Sequence, residues 1–257
     1  MHRGVSERDI KSARNTVDIV EVVRRADGAT LTEVAQEIDL ARSTVHDYLQ
    51  TLLGMEYLVK EGDEYHVSLK FLDLGHHSKL SRTAWRQVRP ALEEIGDETG
   101  EHVWFVVEEY GTAVYVDSYS GSRVLSMFNA PGTREHLHCI AAGKAILAHL
   151  PTERVDQIVD RHGLPAHTER TITDRDGLHE ELEQVRADEV AFCDGEWRDE
   201  IRAVASPVVR GDDVIGAVTF GAPRRRLSET DFYEDLPKLV SGAVNRLELS
   251  FRKDATQ

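Results

Sequence analysis

Over residues 31–53 the apolar positions fall at helical spacing twice, with a break between. Thr30 and Glu33 stand three apart, the pattern of a capping box, directly ahead of Val34, Ala35 and Ile38. Ile38, Asp39 and Leu40 carry the turn. A second helix opens over residues 41–44. Its residues Val45, Leu49, Leu52 and Leu53 form the stripe of a helix buried on one side. Ser43, Thr44, Asp47, Gln50 and Thr51 lie opposite, with His46 at the edge. A helix with short polar side chains facing outward can enter a DNA major groove, although the same spacing suits any small helical bundle.

The pattern then switches to short β-rich runs. Tyr57-Leu58-Val59 and Tyr65-His66-Val67 flank Gly62-Asp63, a hairpin turn. With a first helix over residues 12–26, the order helix, helix, helix, hairpin predicts a winged helix-turn-helix. Lys60 is the hairpin's only cation, which makes the wing a weak phosphate clamp.

Residues 70–79 read as a short connector broken at Gly75-His76-His77. A helix is expected over residues 82–99, kinked or started late by Pro90. Its stripe of Trp85, Val88, Leu92 and Ile95 suits either a dimer contact or packing onto its own domain. Strands follow over 103–107, 113–116 and 124–128. Helices are expected over 138–150, 155–160 and 177–187, then strands over 201–209 and 214–220, joined at Arg210-Gly211-Asp212-Asp213. A helix over 228–251 closes the chain. Strands, helices and strands again predict an α+β domain on an antiparallel sheet. The expected division is residues 1–80 and 81–257.

Charge does not help the DNA reading. The formal net charge is −15. Residues 1–80 hold 10 Lys+Arg against 14 Asp+Glu, and neither part of the chain is basic. The acids are dispersed, and lysine is scarce beside arginine, 7 against 24. Dispersed carboxylate with little lysine suits a highly saline cytoplasm, where screening mutes repulsion from phosphate. No apolar run reaches 18 residues and no charged-then-apolar leader is present, so a soluble, cytoplasmic protein without a membrane partner is expected. Cys139 and Cys193 make no disulfide framework.

Six segments in order carry a family resemblance: STVHDYLQTL, LHCIAAGKAILAHLP, GLPAHTERTITDRDGL, CDGEW, IRAVASPVV and GAVTFGAP. In this order the chain resembles the IclR family of bacterial and archaeal transcription regulators over roughly residues 15–246, and the composition adds a halophilic archaeon as the expected source. The resemblance implies an N-terminal winged helix-turn-helix followed by a GAF-like effector domain with an antiparallel sheet. It also implies a homodimer or dimer of dimers on palindromic double-stranded DNA operators. Asp39-Leu40-Ala41 departs from the family's usual Gly-Leu-Pro, and Asp47 stands where a basic residue is common. The expected DNA-reading set is Ser43, Thr44, His46, Asp47 and Gln50, with Arg42 and Lys60 near phosphate.

Small residues at Cys139, Ala141, Ala142 and Gly143 sit where a loop enters a helix. Free first-turn N–H groups favour a carboxylate there, whereas close helix–sheet packing would need the same small residues. The resemblance favours the first, with a small-molecule effector, an organic acid. It also implies pocket positions at Asp194, with Cys193 beside it, at Ala203, and at Thr219 and Gly221. A loop over residues 127–134, starting at Met127, is expected to cover the site. His136, His138, Cys139 and Cys193 match no standard zinc spacing, so no metal or cofactor is expected. The alternatives are an enzyme of small carboxylates with a vestigial N-terminal domain, and a protein–protein adaptor. No nucleophile–base–orienter set supports the enzyme, and Cys139 and His138 are adjacent on a helix rather than facing each other.

Overall fold

The structure is a computed structural model that describes residues 10–81, 85–123 and 129–254. The chain divides into two compact units, Met1–Arg82 and Thr83–Gln257.

In the first unit, α1 (Lys11–Arg25) buries Ile19, Val22 and Val23. A two-residue strand β1 (Ala29–Thr30) leads into α2 (Leu31–Glu37). The capping box forms: Glu33 N donates to Thr30 Oγ1 at 3.3 Å, and Thr30 N donates to Glu33 Oε2 at 2.8 Å. Next, α3 (Arg42–Gly54) buries Val45, Leu49 and Leu52, and Leu53 is half-buried. The hairpin consists of β2 (Leu58–Glu61) and β3 (Glu64–Val67). Gly62 takes φ +61° at its tip, a conformation that a residue with a Cβ resists. Strand β1 pairs with the free side of β3, giving the order β1-β3-β2. Two residues are too few for alternation to reveal β1.

The expected connector is instead a helix, α4 (Lys70–Leu80). Gly75 costs a helix only about 1 kcal/mol, and the first turn is anchored. Lys70 Nζ donates to Met55 O at 2.9 Å and lies 4.7 Å from the Tyr57 ring centre, which also meets Phe71 edge-on.

The second unit opens with α5 (Trp85–Thr99). Antiparallel β4 (His102–Glu109) and β5 (Thr112–Ser120) follow, then β6 (Arg134–Glu135). The expected strand over 124–128 lies outside the described residues. The single helix expected over 138–150 is two pieces. A 3₁₀ turn at Leu137–Cys139 ends at extended Ile140, and α6 (Ala141–Ala148) begins there. Then come α7 (Thr152–His162), α8 (Arg175–Asp188), β7 (Ala191–Asp194), β8 (Ile201–Arg210) and β9 (Asp213–Pro223). A π-helical turn at Asp231–Asp235 feeds α9 (Leu236–Asp254).

The six-stranded antiparallel sheet has the order β6-β5-β4-β9-β8-β7. Because side chains alternate along a strand, register fixes two faces. One face carries Val103, Phe105, Val204, Val218 and Phe220, buried with Val88, Leu92 and Ile95 of α5 and Val240 and Leu247 of α9. Val88, Leu92 and Ile95 of the α5 stripe are therefore spent inside their own domain, which favours the second of its two readings, packing onto its own domain, over a dimer contact. The Trp85 side chain lies outside the described residues. The other face carries Trp104, Ala113, Tyr115, Ala191, Cys193, Ala205 and Ala217 beneath α6 and α8.

Candidate functional sites

The exposed face of α3 is the candidate DNA-reading surface. Arg42, Ser43, Thr44, His46, Asp47 and Gln50 are all exposed, while Val45 and Leu49 are fully buried. The Thr51 hydroxyl donates to Asp47 O at 2.8 Å, so its hydrogen is occupied by its own helix. His46 Nδ1 lies 3.6 Å from Asp47 Oδ1. In the hairpin, Lys60 is exposed, its ammonium 5.4 Å from the Tyr65 ring centre.

The second site is a cavity of about 50 Å³ between the amino end of α6 and the small-residue face of the sheet. Its floor follows from register. His102 pairs with Gly221 and Trp104 with Thr219 across β4 and β9. Ala203 of β8 pairs with Gly221 on one side and Cys193 of β7 on the other. Gly221, Thr219, Ala203 and Cys193 leave space in the middle. Trp104 and Tyr115, in edge contact at 5.2 Å, and Trp197 supply walls. Ile140, Ala141 and Ala142 form the roof, where first-turn N–H groups of α6 have no partner within the helix.

The structure thus brings together Ala141, Ala142, Cys193, Ala203, Thr219 and Gly221 of the expected pocket set. Others do not line it. Cys139 lies in the 3₁₀ turn, its thiol donating to His136 O at 3.4 Å. Gly143 faces the backbone: a Cβ there would meet Leu137 O at 2.0 Å, so packing explains this glycine. Asp194 sits in a strand and is held in place by arginines. Its carboxylate takes Arg202 Nε at 2.7 Å and Arg224 Nη2 at 2.7 Å. Burial opposes its charge, but Arg202, Arg224 and Arg170 outweigh burial and leave its pKa below the ordinary carboxylate value. Met127 lies outside the described residues; Asn129, from the same expected loop, does line the cavity.

Sequence reasoning missed His102, Trp104, Tyr115, Trp197 and Ile201, which also line it, as does Ile140 of the expected helix entry. The i, i+2 pair His102 and Trp104 was a signal, since both share a sheet face and the rings stack at 4.5 Å. Burial raises the Tyr115 hydroxyl pKa, with Glu135 adding to the effect and a hydrogen bond from Asn129 opposing it. Burial also raises Glu135, against a hydrogen bond from Trp197 that helps fix this wall.

Behind the roof, Lys144 is 1% exposed and reaches Glu181 Oε1 and Glu196 Oε1, each at 2.7 Å. Burial disfavours its charge, but Glu196 and Glu181 prevail and raise its pKa. Burial raises Glu196 despite Lys144. This triad ties α6 to α8 and to the loop after β7. Burial raises both cysteine thiols, so neither is a ready thiolate nucleophile. Among the described residues no group of three or more His, Cys, Asp or Glu is arranged to hold a metal ion. No described helix is long and apolar enough to cross a membrane.

Two family models match the chain. The IclR helix-turn-helix domain matches residues 12–62, and the bacterial transcriptional regulator IclR C-terminal domain matches residues 77–247. A protein of Halobacterium salinarum named as an HTH-type transcriptional regulator, ArcR, is 30% identical over 247 residues, 94% of each chain. A solved transcriptional regulator of Rhodococcus sp. RHA1 superposes with a TM-score of 0.84 at 26% identity, covering 95% of this chain and 99% of that one. An IclR homologue of Microbacterium hydrocarbonoxydans, solved with 4-hydroxybenzoate, superposes with a TM-score of 0.80 at 18% identity over 94% and 99% of the two chains. A winged helix-turn-helix, an antiparallel sheet with a cavity under one helix, and matches over both units make this chain a member of the IclR family of ligand-responsive, DNA-binding transcription regulators, not an enzyme.

Proposed function

We propose that the exposed face of α3 reads an operator and that a small organic acid in the cavity under α6 controls it. The observation that carries this reading is the cavity itself. It sets the first turn of α6, whose N–H groups have no partner within the helix, over a floor of small side chains, which is suitable chemistry for a carboxylate. An apolar cavity of about 150 Å³ holds benzene. At about 50 Å³, this one suits an acid of a few heavy atoms better than the 4-hydroxybenzoate carried by the Microbacterium homologue. Ser43, Thr44, His46, Asp47 and Gln50 would face base edges, with Arg42 and Lys60 near phosphate.

The working form is a homodimer or dimer of dimers on a palindromic operator. Exposed Leu69 and Leu72 of the first unit, 83% and 68% accessible, support contact with a second copy. The acidic, lysine-poor composition and the similarity to a Halobacterium protein support a saline cytoplasm in a halophilic archaeon as its setting.

The test is binding to DNA flanking its own gene, in high potassium salt, with and without small acids. Gln50→Ala should weaken specific binding by about 1–3 kcal/mol and leave scrambled DNA unaffected. Arg42→Ala should weaken both equally and flatten the salt slope. Ala142→Val should bind the operator but stop responding to the acid. Equal response by wild type and Ala142→Val would place the effector elsewhere.

A further inference from the structure

We infer that His102 is a ligand-binding, specificity-determining residue of the cavity, donating through Nε2–H to an oxygen of a short organic acid whose carboxylate rests on the first turn of α6. This rests on the reading of the cavity as the effector site.

His102 is 2% exposed and borders the cavity. Its two ring nitrogens differ. Nδ1 lies 3.2 Å from Ser120 Oγ, while Nε2 is buried with no hydrogen-bond partner among the described residues. Buried polar atoms are nearly always paired, and an exception calls for a missing partner. Among the described residues two other buried side-chain atoms lack a partner, His162 Nδ1 and Glu196 Oε2, but neither residue lines this cavity.

The residues around His102 leave that nitrogen to a ligand. Its register partner on β9 is Gly221, which has no side chain to offer. Thr219 donates its hydroxyl hydrogen to Val204 O at 3.1 Å, and Asn129 bonds to Tyr115. In the proposed tautomer Ser120 Oγ–H donates to Nδ1 and the ring proton sits on Nε2, the form that presents a donor to an anion. Among the described residues no Lys or Arg lines the cavity. The α6 amides and this imidazole are therefore the donors proposed for the two ends of an anion with a second oxygen; Tyr115 Oη–H and the second Asn129 N–H stand on the same wall. The ring stacks on Trp104 at 4.5 Å, which holds the donor in one orientation.

Calorimetry on the full chain with propionate, lactate and pyruvate tests this, since the three share size and carboxylate but only the last two carry a second oxygen. Wild type should bind pyruvate or lactate at least tenfold more tightly than propionate. His102→Phe should lose that preference, and His102→Gln, which keeps an N–H donor, should recover part of it. In wild type the ¹⁵N resonance of His102 Nε2 should shift on saturation with the preferred acid, a readout that does not depend on any variant folding. An unmoved resonance, or an undiminished preference in His102→Phe, overturns the inference while leaving the effector site standing if Ala142→Val still blocks binding. If wild type binds none of the three acids, the inference and the small-acid reading of the cavity both fall.

Discussion

The two faces of the six-stranded sheet are built from alternate residues of the same strands, yet they do different work. The face under α5 and α9 carries Val103, Phe105, Val204, Val218 and Phe220 and is packed solid. The face under α6 carries Ala113, Ala191, Ala203, Ala205, Ala217 and Gly221, with large rings only where they wall the cavity. Large side chains fill one face and fix the fold. Small ones let α6 approach on the other and leave the cavity of about 50 Å³. Under the proposed function, stability and response reside on opposite sides of one sheet.

The largest expected effect is on the solid face. Phe220 is 1% exposed, and Phe220→Ala should destabilise the second unit by about 3–5 kcal/mol through lost burial and a cavity. Urea unfolding followed by tryptophan fluorescence measures it. A loss under about 1 kcal/mol would mean that this face is not the core that its burial indicates.

On the open face, stability depends on a buried charge set. Lys144→Met should leave the Glu196 and Glu181 carboxylates facing each other without a cation. The expected cost is about 3 kcal/mol, the low end for a broken buried pair, because Glu181 is 33% exposed and water reaches it. Lys144→Met together with Glu196→Gln should recover part of the loss. An additive double variant would show that the pair does not act as a unit.

Legibility in the sequence followed the range of the interactions. The first unit was readable because its signals are local: the Thr30–Glu33 box, the Val45–Leu49–Leu52 stripe and the Gly62-Asp63 turn each lie within a few residues. Helix α4 escaped because Gly75 and two histidines break a pattern that Lys70 restores through a bond to Met55, fifteen positions away. The cavity was half readable. Ala141, Ala142, Ala203 and Thr219 came through family resemblance, but His102 meets Gly221 only through strand register across more than a hundred residues. Asp194 misled because an acidic residue beside a pocket motif gives no sign that Arg202 and Arg224 will claim it.

A pH series separates the faces further, because His138 packs on the open side in the 3₁₀ turn before α6. Burial lowers its pKa from 6.5 to about 4; the Pro165 carbonyl opposes this, and His136, His167 and Lys144 add to it. The unfolded chain therefore takes up this proton near 6.5 and the folded chain only near 4. Stability is complete above 6.5 and falls as pH drops toward 4, by about 3 kcal/mol from this group. His138→Gln should flatten part of the fall in unfolding free energy between those values. An unchanged slope would assign the acid loss to other groups.

The smallest effect on stability is the one that tests the division most directly. Ala203 lies on the cavity floor, beside Gly221 and Cys193, and a Cβ built on Gly221 would come no nearer than 3.9 Å to it. Ala203→Leu should extend into empty space, so the added burial offsets any strain and stability should change by less than about 1 kcal/mol. Its neighbour on the other face, Val204, is fully buried, and Val204→Phe should cost about 1–3 kcal/mol by overpacking. The functional effects should run the other way. Ala203→Leu occupies the ligand's space, so the variant should stay folded, keep its operator affinity and lose its response to acid. Val204→Phe, where it folds, should keep that response. Paired unfolding and operator-binding titrations on the two variants read both quantities. If Ala203→Leu destabilises as much as Val204→Phe, the small-residue face is as closely packed as the other and the cavity does not set it apart.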